Sequence, residues 1–253
     1  MIYDLQKASM TKRIAAWMFD VILTATLAVG FGLLLSVLLG YDAHNTEMET
    51  TFAAYEAEYG VVFDISQEEY LAMTDAQRQN YDTAYGALIG DQDFLYAYNM
   101  TLNLSLLITS LGILLAMLVW EFMVPLMFGN GQTLGKKIFS LCLIRNDGVR
   151  VNAMQLFTRT LLGKFTIETM IPVYILLMIF WGAMGIVGTA ILAALLLGQL
   201  ICLCATRTNS GIHDLLAGTV VADISSQMIF RSTEELVEFQ KQVAAERAAR
   251  QTY

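Results

Sequence analysis

The chain has 253 residues, of which 56% are hydrophobic and only 15% charged, with a formal net charge of −8. Soluble domains carry about a quarter charged residues. Here the apolar residues gather in long runs, which excludes an ordinary soluble domain and indicates a polytopic membrane protein. Three cysteines, Cys142, Cys202 and Cys204, give no disulfide framework, and nothing points to nucleic acid.

A cytoplasmic tail (1–12) leads into the first run, Ile14 to Leu39. At about 26 residues this run exceeds the 7–15 of a signal peptide's apolar region, and no small-residue cleavage site follows, so it reads as an uncleaved span, 13–39. Residues 40–98 are polar, with twelve acidic residues against one basic, Arg78. Ser66 with Glu69, and Thr74 ahead of a stretch to Tyr85, are helix-start patterns, so this insert is expected to be helical, its acids forming a solvated face. It has no EF-hand spacing. The second span is 99–128, interrupted by Glu121 and Pro125.

The segment 129–165 carries six basic residues. Ile138–Arg145, the turn Asn146-Asp147-Gly148 and Val149–Val151 predict a small β-hairpin, which Thr219–Val221 can join. Asn152 then caps an interfacial helix with an apolar stripe of Leu156, Phe157, Leu161, Leu162 and Phe165. The run 166–205 is twice the length of one span, with glycines at its middle. It is expected to be a hairpin of two spans, 166–184 and 186–205. A segment 206–230 and a C-terminal helix, 231–253, complete the chain; Ser232 and Glu235 form that helix's capping box and Leu236, Phe239 and Val243 its apolar face. The fold class expected is therefore all-α and polytopic, about four transmembrane helices with a small cytoplasmic β-hairpin and an interfacial helix. By the positive-inside rule, both termini and 129–165 lie in the cytoplasm and 40–98 outside the cell membrane.

Charges inside spans are costly, about 2.5–3.5 kcal/mol on insertion scales, and mark candidate sites. Asp20 lies six residues into the first run. Arg13 is seven residues earlier, on the same helix face but about 10.5 Å away along the axis, too far for a certain direct bond, so a water or a third group is expected to complete the link. Pro125 frees the carbonyl of residue 121, placing Glu121 at a kink; Glu121 is a secondary candidate. Glu168 reads as a helix-dipole residue at the start of the third span. His213 is the other secondary candidate, although adjacent His213 and Asp214 are expected to point apart. No metal-ligand spacing or cofactor motif occurs. Gly129–Lys137 fails the phosphate-loop pattern, because Lys137 stands where Ser or Thr is required. No nucleophile is paired with a base, so an enzyme is not expected.

Arg13 and Asp20 in R-I-A-A-W-M-F-D, T-L-G-K-K at 133–137 and H-D-L-L-A-G-T at 213–219 resemble the RDD family of bacterial membrane proteins. That family is named for one arginine and two aspartates, here matched by Arg13, Asp20 and Asp214. Its loop motif usually reads T-P-G-K; Leu134 stands in place of the proline. The resemblance implies a suspected transport role, with cation/proton exchange proposed for some members. It makes Arg13, Asp20 and Asp214 the candidate ion or proton site near the cytoplasmic face. Partners expected are the lipid bilayer and small cations or protons, with a homo-oligomer or a membrane protein partner as further expectations. The alternative reading is a non-transporting scaffold that recruits partners.

Overall fold

The computed structural model describes residues 5, 7–180 and 182–251. In chain order the elements are α1 (Met10–Leu39), α2 (Tyr41–Tyr59), α3 (Gln67–Ala72), α4 (Asp75–Gly90), α5 (Gln92–Phe128), α6 (Leu134–Ile138) and β1 (Leu141–Arg145). There follow α7 (Ala153–Phe180), α8 (Gly185–Ala205), α9 (Ile212–Ala217), β2 (Thr219–Asp223) and α10 (Thr233–Gln251). Helices α1, α5, α7 and α8 are long and apolar enough to cross a membrane. Their large side chains, such as Val37, Leu33, Leu197 and Ile201, are exposed, as lipid-facing surfaces are. Hydroxyls within the helices donate to the carbonyl one turn back, as Thr26 does to Ile22 and Ser110 to Leu106, so they need no water in a bilayer.

The chain divides into two compact units, Met1–Ala28 with Ile113–Tyr253, and Val29–Gly112. In the second unit α2, α3 and α4 enclose an aromatic core of Phe63, Ala84, Leu88 and Phe94, bordered by Phe52, Tyr55 and Tyr81. The helix starts read from the sequence are present: Ser66 with Glu69 and Thr74 with Gln77 form reciprocal capping boxes. The tyrosines of the insert therefore pack mainly on one another rather than standing free.

The first unit holds α1 up to Ala28, α5 from Ile113, and the elements that follow. β1 and β2 pair antiparallel over their whole length, from Leu141 opposite Asp223 to Arg145 opposite Thr219. The expected partner, Val149–Val151, contributes only a bridge from Ile144 to Arg150 and a bond from Arg145 N–H to the Val149 carbonyl, 2.8 Å. The small sheet is thus made chiefly by segments 78 residues apart in chain order, with Lys7 bridging to Ala222 on the other edge of β2. Apolar residues alternate to both faces, giving the strands their burial. The C-terminal helix covers this layer, with Leu236 and Phe239 packed on Val149 and Phe230. Ser232 accepts from Glu235 N–H, 3.3 Å, but the Glu235 carboxylate reaches back to Arg231 N–H, 2.6 Å, instead of to Ser232.

The expected third and fourth spans are present, but the interfacial helix and the third span are joined in one helix, α7. Asn152 caps α7 as predicted, but the helix then runs unbroken to Phe180, with a wide-turn π-helical stretch at Thr158–Met170. The turn before α8 uses Gly182 and Gly185 at φ +72° and +44°; Trp181 lies outside the described residues. Gly188 lets α8 close on α7, since a Cβ there would meet Ile179 Cγ1 at 2.7 Å.

Candidate functional site

Asp20, on α1, is 3% exposed. Its Oδ1 accepts from Gly135 N–H at 2.9 Å and from Trp120 Nε1–H at 3.2 Å, and its Oδ2 from the Thr133 hydroxyl. The T-L-G-K-K segment is built for this. Thr133 caps α6 through Lys136 N–H, leaving the helix's first amide hydrogens directed outward, where an anion is favoured. Leu134 sits at the first helical position, which also suits a proline. Gly135 permits the approach: a Cβ would lie 2.4 Å from the Ala16 carbonyl oxygen and 2.8 Å from Asp20 Oδ1. Asp20 does not reach Arg13.

The connection runs through groups contributed by four other elements. Lys136 Nζ is 3.9 Å from Asp20 Oδ2 and 3.9 Å from Glu121 Oε2. Glu121 also pairs with Lys164, and with Arg159 Nη1 at 3.5 Å. Arg159 Nε in turn donates to Asp214 Oδ1 at 2.9 Å. Asp214 receives Arg13 Nη2 at 3.7 Å and His213 Nε2 at 3.4 Å, while His213 Nδ1 meets Glu168 Oε1 at 2.7 Å. The result is one chain of contacts from Asp20 to Glu168. It contains four carboxylates (Asp20, Glu121, Glu168, Asp214), four fixed cations (Arg13, Lys136, Arg159, Lys164) and one imidazole. Burying such charges is tolerable only because each has an opposite partner.

Local structure explains why these side chains meet. Helix α5 changes to π-helical turns at Leu118–Met123, just before Pro125. The Glu121 carbonyl expected to lose its helical partner accepts from the Thr160 hydroxyl, 3.0 Å, which locks α5 to α7. Gly163 allows α9 to lie directly on α7, since a Cβ there would be 2.5 Å from His213 Cβ. Gly218, at φ +64°, ends α9 and turns the chain into β2, so that Thr219 donates to Asp214 Oδ1 at 3.2 Å. The H-D-L-L-A-G-T motif is therefore a helix, a left-handed stop and a strand that together fix one buried carboxylate. Burial alone would raise the Asp214 carboxyl, but His213 and Arg159 outweigh it and hold it well below the usual carboxylate range. Burial drives the Lys136 ammonium down to about 8, against the opposing pull of Glu121.

Of the candidates read from the sequence, Arg13, Asp214 and His213 meet directly, Glu121 joins them through Arg159, and Asp20 joins through Lys136. Glu168 corrects its expected role: α7 begins at Ala153, so Glu168 is inside the helix and serves His213 rather than a helix terminus. His213 and Asp214, expected to point apart, approach within 3.4 Å. Lys136, Arg159 and Lys164, which from the sequence read as cytoplasmic-side and interfacial charges, are members of this buried chain. The signal that could have revealed them is their spacing next to glycines and within apolar stripes.

Two carboxylate oxygens in this chain, Glu121 Oε2 and Asp214 Oδ2, have no hydrogen-bond donor among the described residues. All nine ionisable groups border one cavity of about 890 Å³, whose other walls are apolar. Among the described residues no group of His, Cys, Asp and Glu could hold a metal ion. A family model described as RDD family matches residues 7–218. No curated protein and no solved structure matches the chain.

Proposed function

The chain belongs to the RDD family of membrane proteins, and we propose that it is a transporter whose buried charge chain passes a proton rather than a metal cation. The supporting observation is the pair of donorless oxygens, Glu121 Oε2 and Asp214 Oδ2, each of which already has a fixed cation within 4 Å. An added metal ion would compete with those cations for the same oxygens. A proton needs one lone pair, and the His213 imidazole, set between Glu168 and Asp214, can take one up at one nitrogen and release one at the other. The excess of Lys and Arg flanking the spans at 129–165 and after 205 supports a cytoplasmic location for this end of the molecule and for both termini.

The test uses purified protein in liposomes with a trapped pH-sensitive dye. Wild type dissipates an imposed pH gradient; His213→Gln and Glu121→Gln slow it at least about tenfold; Asp223→Asn, outside the chain of contacts, leaves it unchanged. Equal rates in wild type and His213→Gln rule the reading out.

The equality of four acids with four bases favours a second reading, a structural latch in a scaffold. That reading predicts no gradient dissipation in wild type, loss of abundance in Arg13→Ala, and a constant copurifying partner.

A further inference from the structure

Helix α7 is wound in two ways. Over Thr158–Met170 its backbone takes the wide π-helical register, which the Ile171 N–H closes on the Thr166 carbonyl, five residues back. Such winding is rare and mostly confined to single turns, frequently at functional sites; here it extends over 13 residues. Pro172 frees the carbonyl of Glu168 and accounts for the last turn of the stretch, not for the turns before it. The charged side chains account for those. An α-helix would set Lys164 about 140° round the axis from Arg159, and Glu168 about 180° from it. At about 4.4 residues per turn, five-residue bonding brings all three within about 50° of one another. That shared face is where Arg159 and Lys164 meet Glu121, Arg159 meets Asp214 and Glu168 meets His213.

The same segment can take the ordinary winding without orphaning its hydroxyls. Thr166 and Thr169 donate to the carbonyls of Leu161 and Lys164, five residues back, each at 2.9 Å. Thr24, Ser110 and Thr189, on the other spans, serve the carbonyl four residues back. A threonine thus finds an acceptor in either register. What rewinding loses is charge pairing: with Arg159 kept on Asp214, Lys164 leaves Glu121 and Glu168 leaves His213. We propose that Thr158–Met170 is a winding switch, held in its wide register by the Lys164–Glu121 and Glu168–His213 contacts and returning toward the α-helical register when they are lost. Fewer residues per turn make a longer helix, so full rewinding of the 13 residues carries Ile171–Phe180 about 4 Å away from the charged end. The switch operates whether the chain of contacts passes protons or only latches the fold.

The experiment measures the length of α7 in the full chain, in nanodiscs, by pulsed electron spin resonance. Met154→Cys and Met178→Cys carry the spin labels at two exposed positions on either side of the stretch. Cys202→Ala and Cys204→Ala remove the accessible thiols, and Cys142 is buried. An uninterrupted α-helix would separate the two labelled positions by about 36 Å. The native charges are expected to give about 4 Å less. Lys164→Met and Glu168→Leu, singly or together, lengthen the separation by about 2–4 Å, and lengthening in either one supports the switch. Lys164→Arg, which keeps the pair with Glu121, and Asp223→Asn, outside the chain of contacts, leave it short. A native separation already at the α-helical value, a separation unchanged in both charge-removing variants, or equal lengthening by Lys164→Arg and Lys164→Met would each overturn the proposal.

Discussion

Gly135→Ala sets two physical effects against each other. Gly135 lies in α6, where replacing Gly by Ala normally stabilises by about 0.5–1 kcal/mol. The structure predicts the opposite sign. The new Cβ would stand 2.4 Å from the Ala16 carbonyl oxygen, a rigid helix backbone atom, and 2.8 Å from Asp20 Oδ1. Separating α6 from α1 to relieve this costs about 1–3 kcal/mol for overpacking. It also stretches the charge-assisted bond from Gly135 N–H to Asp20, worth about 1.5–3 kcal/mol. After the propensity gain the net loss is roughly 2–5 kcal/mol. At about 2–4 °C per kcal/mol for a chain of this size, the apparent melting temperature in detergent, followed by size-exclusion of the surviving monodisperse fraction, falls on the order of 5–15 °C. Gly198→Ala on α8, where a Cβ meets nothing within 4 Å, serves as the matched control and leaves the melting temperature equal or raised. If Gly135→Ala melts no lower than wild type, the close seating of the T-L-G-K segment on α1 is wrong.

Thr160→Val keeps side-chain shape but removes the donor to the Glu121 carbonyl, and is expected to lose about 1–2 kcal/mol; pairing it with Pro125→Ala, which returns a backbone donor to α5, should recover part of that loss in the same melting assay. Lys12 Nζ lies 2.6 Å from Asp223, and hydrogen bonds from Lys12 and Ser225 pull the Asp223 carboxyl down to about 2. The folded value is below the unfolded one, so this contribution is present above about pH 4 and disappears as pH falls toward 2; Lys12→Ala should flatten that part of a pH–stability curve. Cys142 is fully buried and its thiol is pushed up to about 11 by burial, so in detergent a maleimide should modify it only after denaturation, as peptide mass mapping would reveal.

The sequence carried the number of membrane-length helices because bilayer thickness sets the minimum apolar run, and it carried the turn before α8 because glycine accepts positive φ there. Pro125 announced an unsatisfied carbonyl at Glu121, and the fold supplied Thr160 to meet it. The family motifs grouped Arg13 with Asp20 and Asp214, and the structure brings Arg13 to Asp214 at 3.7 Å. The break expected near residue 165 is missing for an electrostatic reason. Arg159 and Lys164 look like a membrane boundary when read alone, but Asp214 and Glu121 neutralise them, and α7 continues through. The partner of Asp20 was hidden because it is largely backbone. Gly135 N–H and the Thr133 hydroxyl bind the carboxylate through loop geometry, and no charge pattern encodes that. The strand pairing was similarly displaced: alternation marked both 149–151 and 219–221 as extended, but it does not choose between partners, and the longer β2 matches β1 residue for residue.

The central claim is that Asp20 and Glu121, which do not touch, belong to one network through Lys136. A double-mutant cycle of Asp20→Asn and Glu121→Gln, measured by melting in the native background and again with Lys136→Met, tests it most directly. The account predicts coupling of at least about 1 kcal/mol with Lys136 present and additivity within about 0.5 kcal/mol without it. Additive effects in the native background would contradict it.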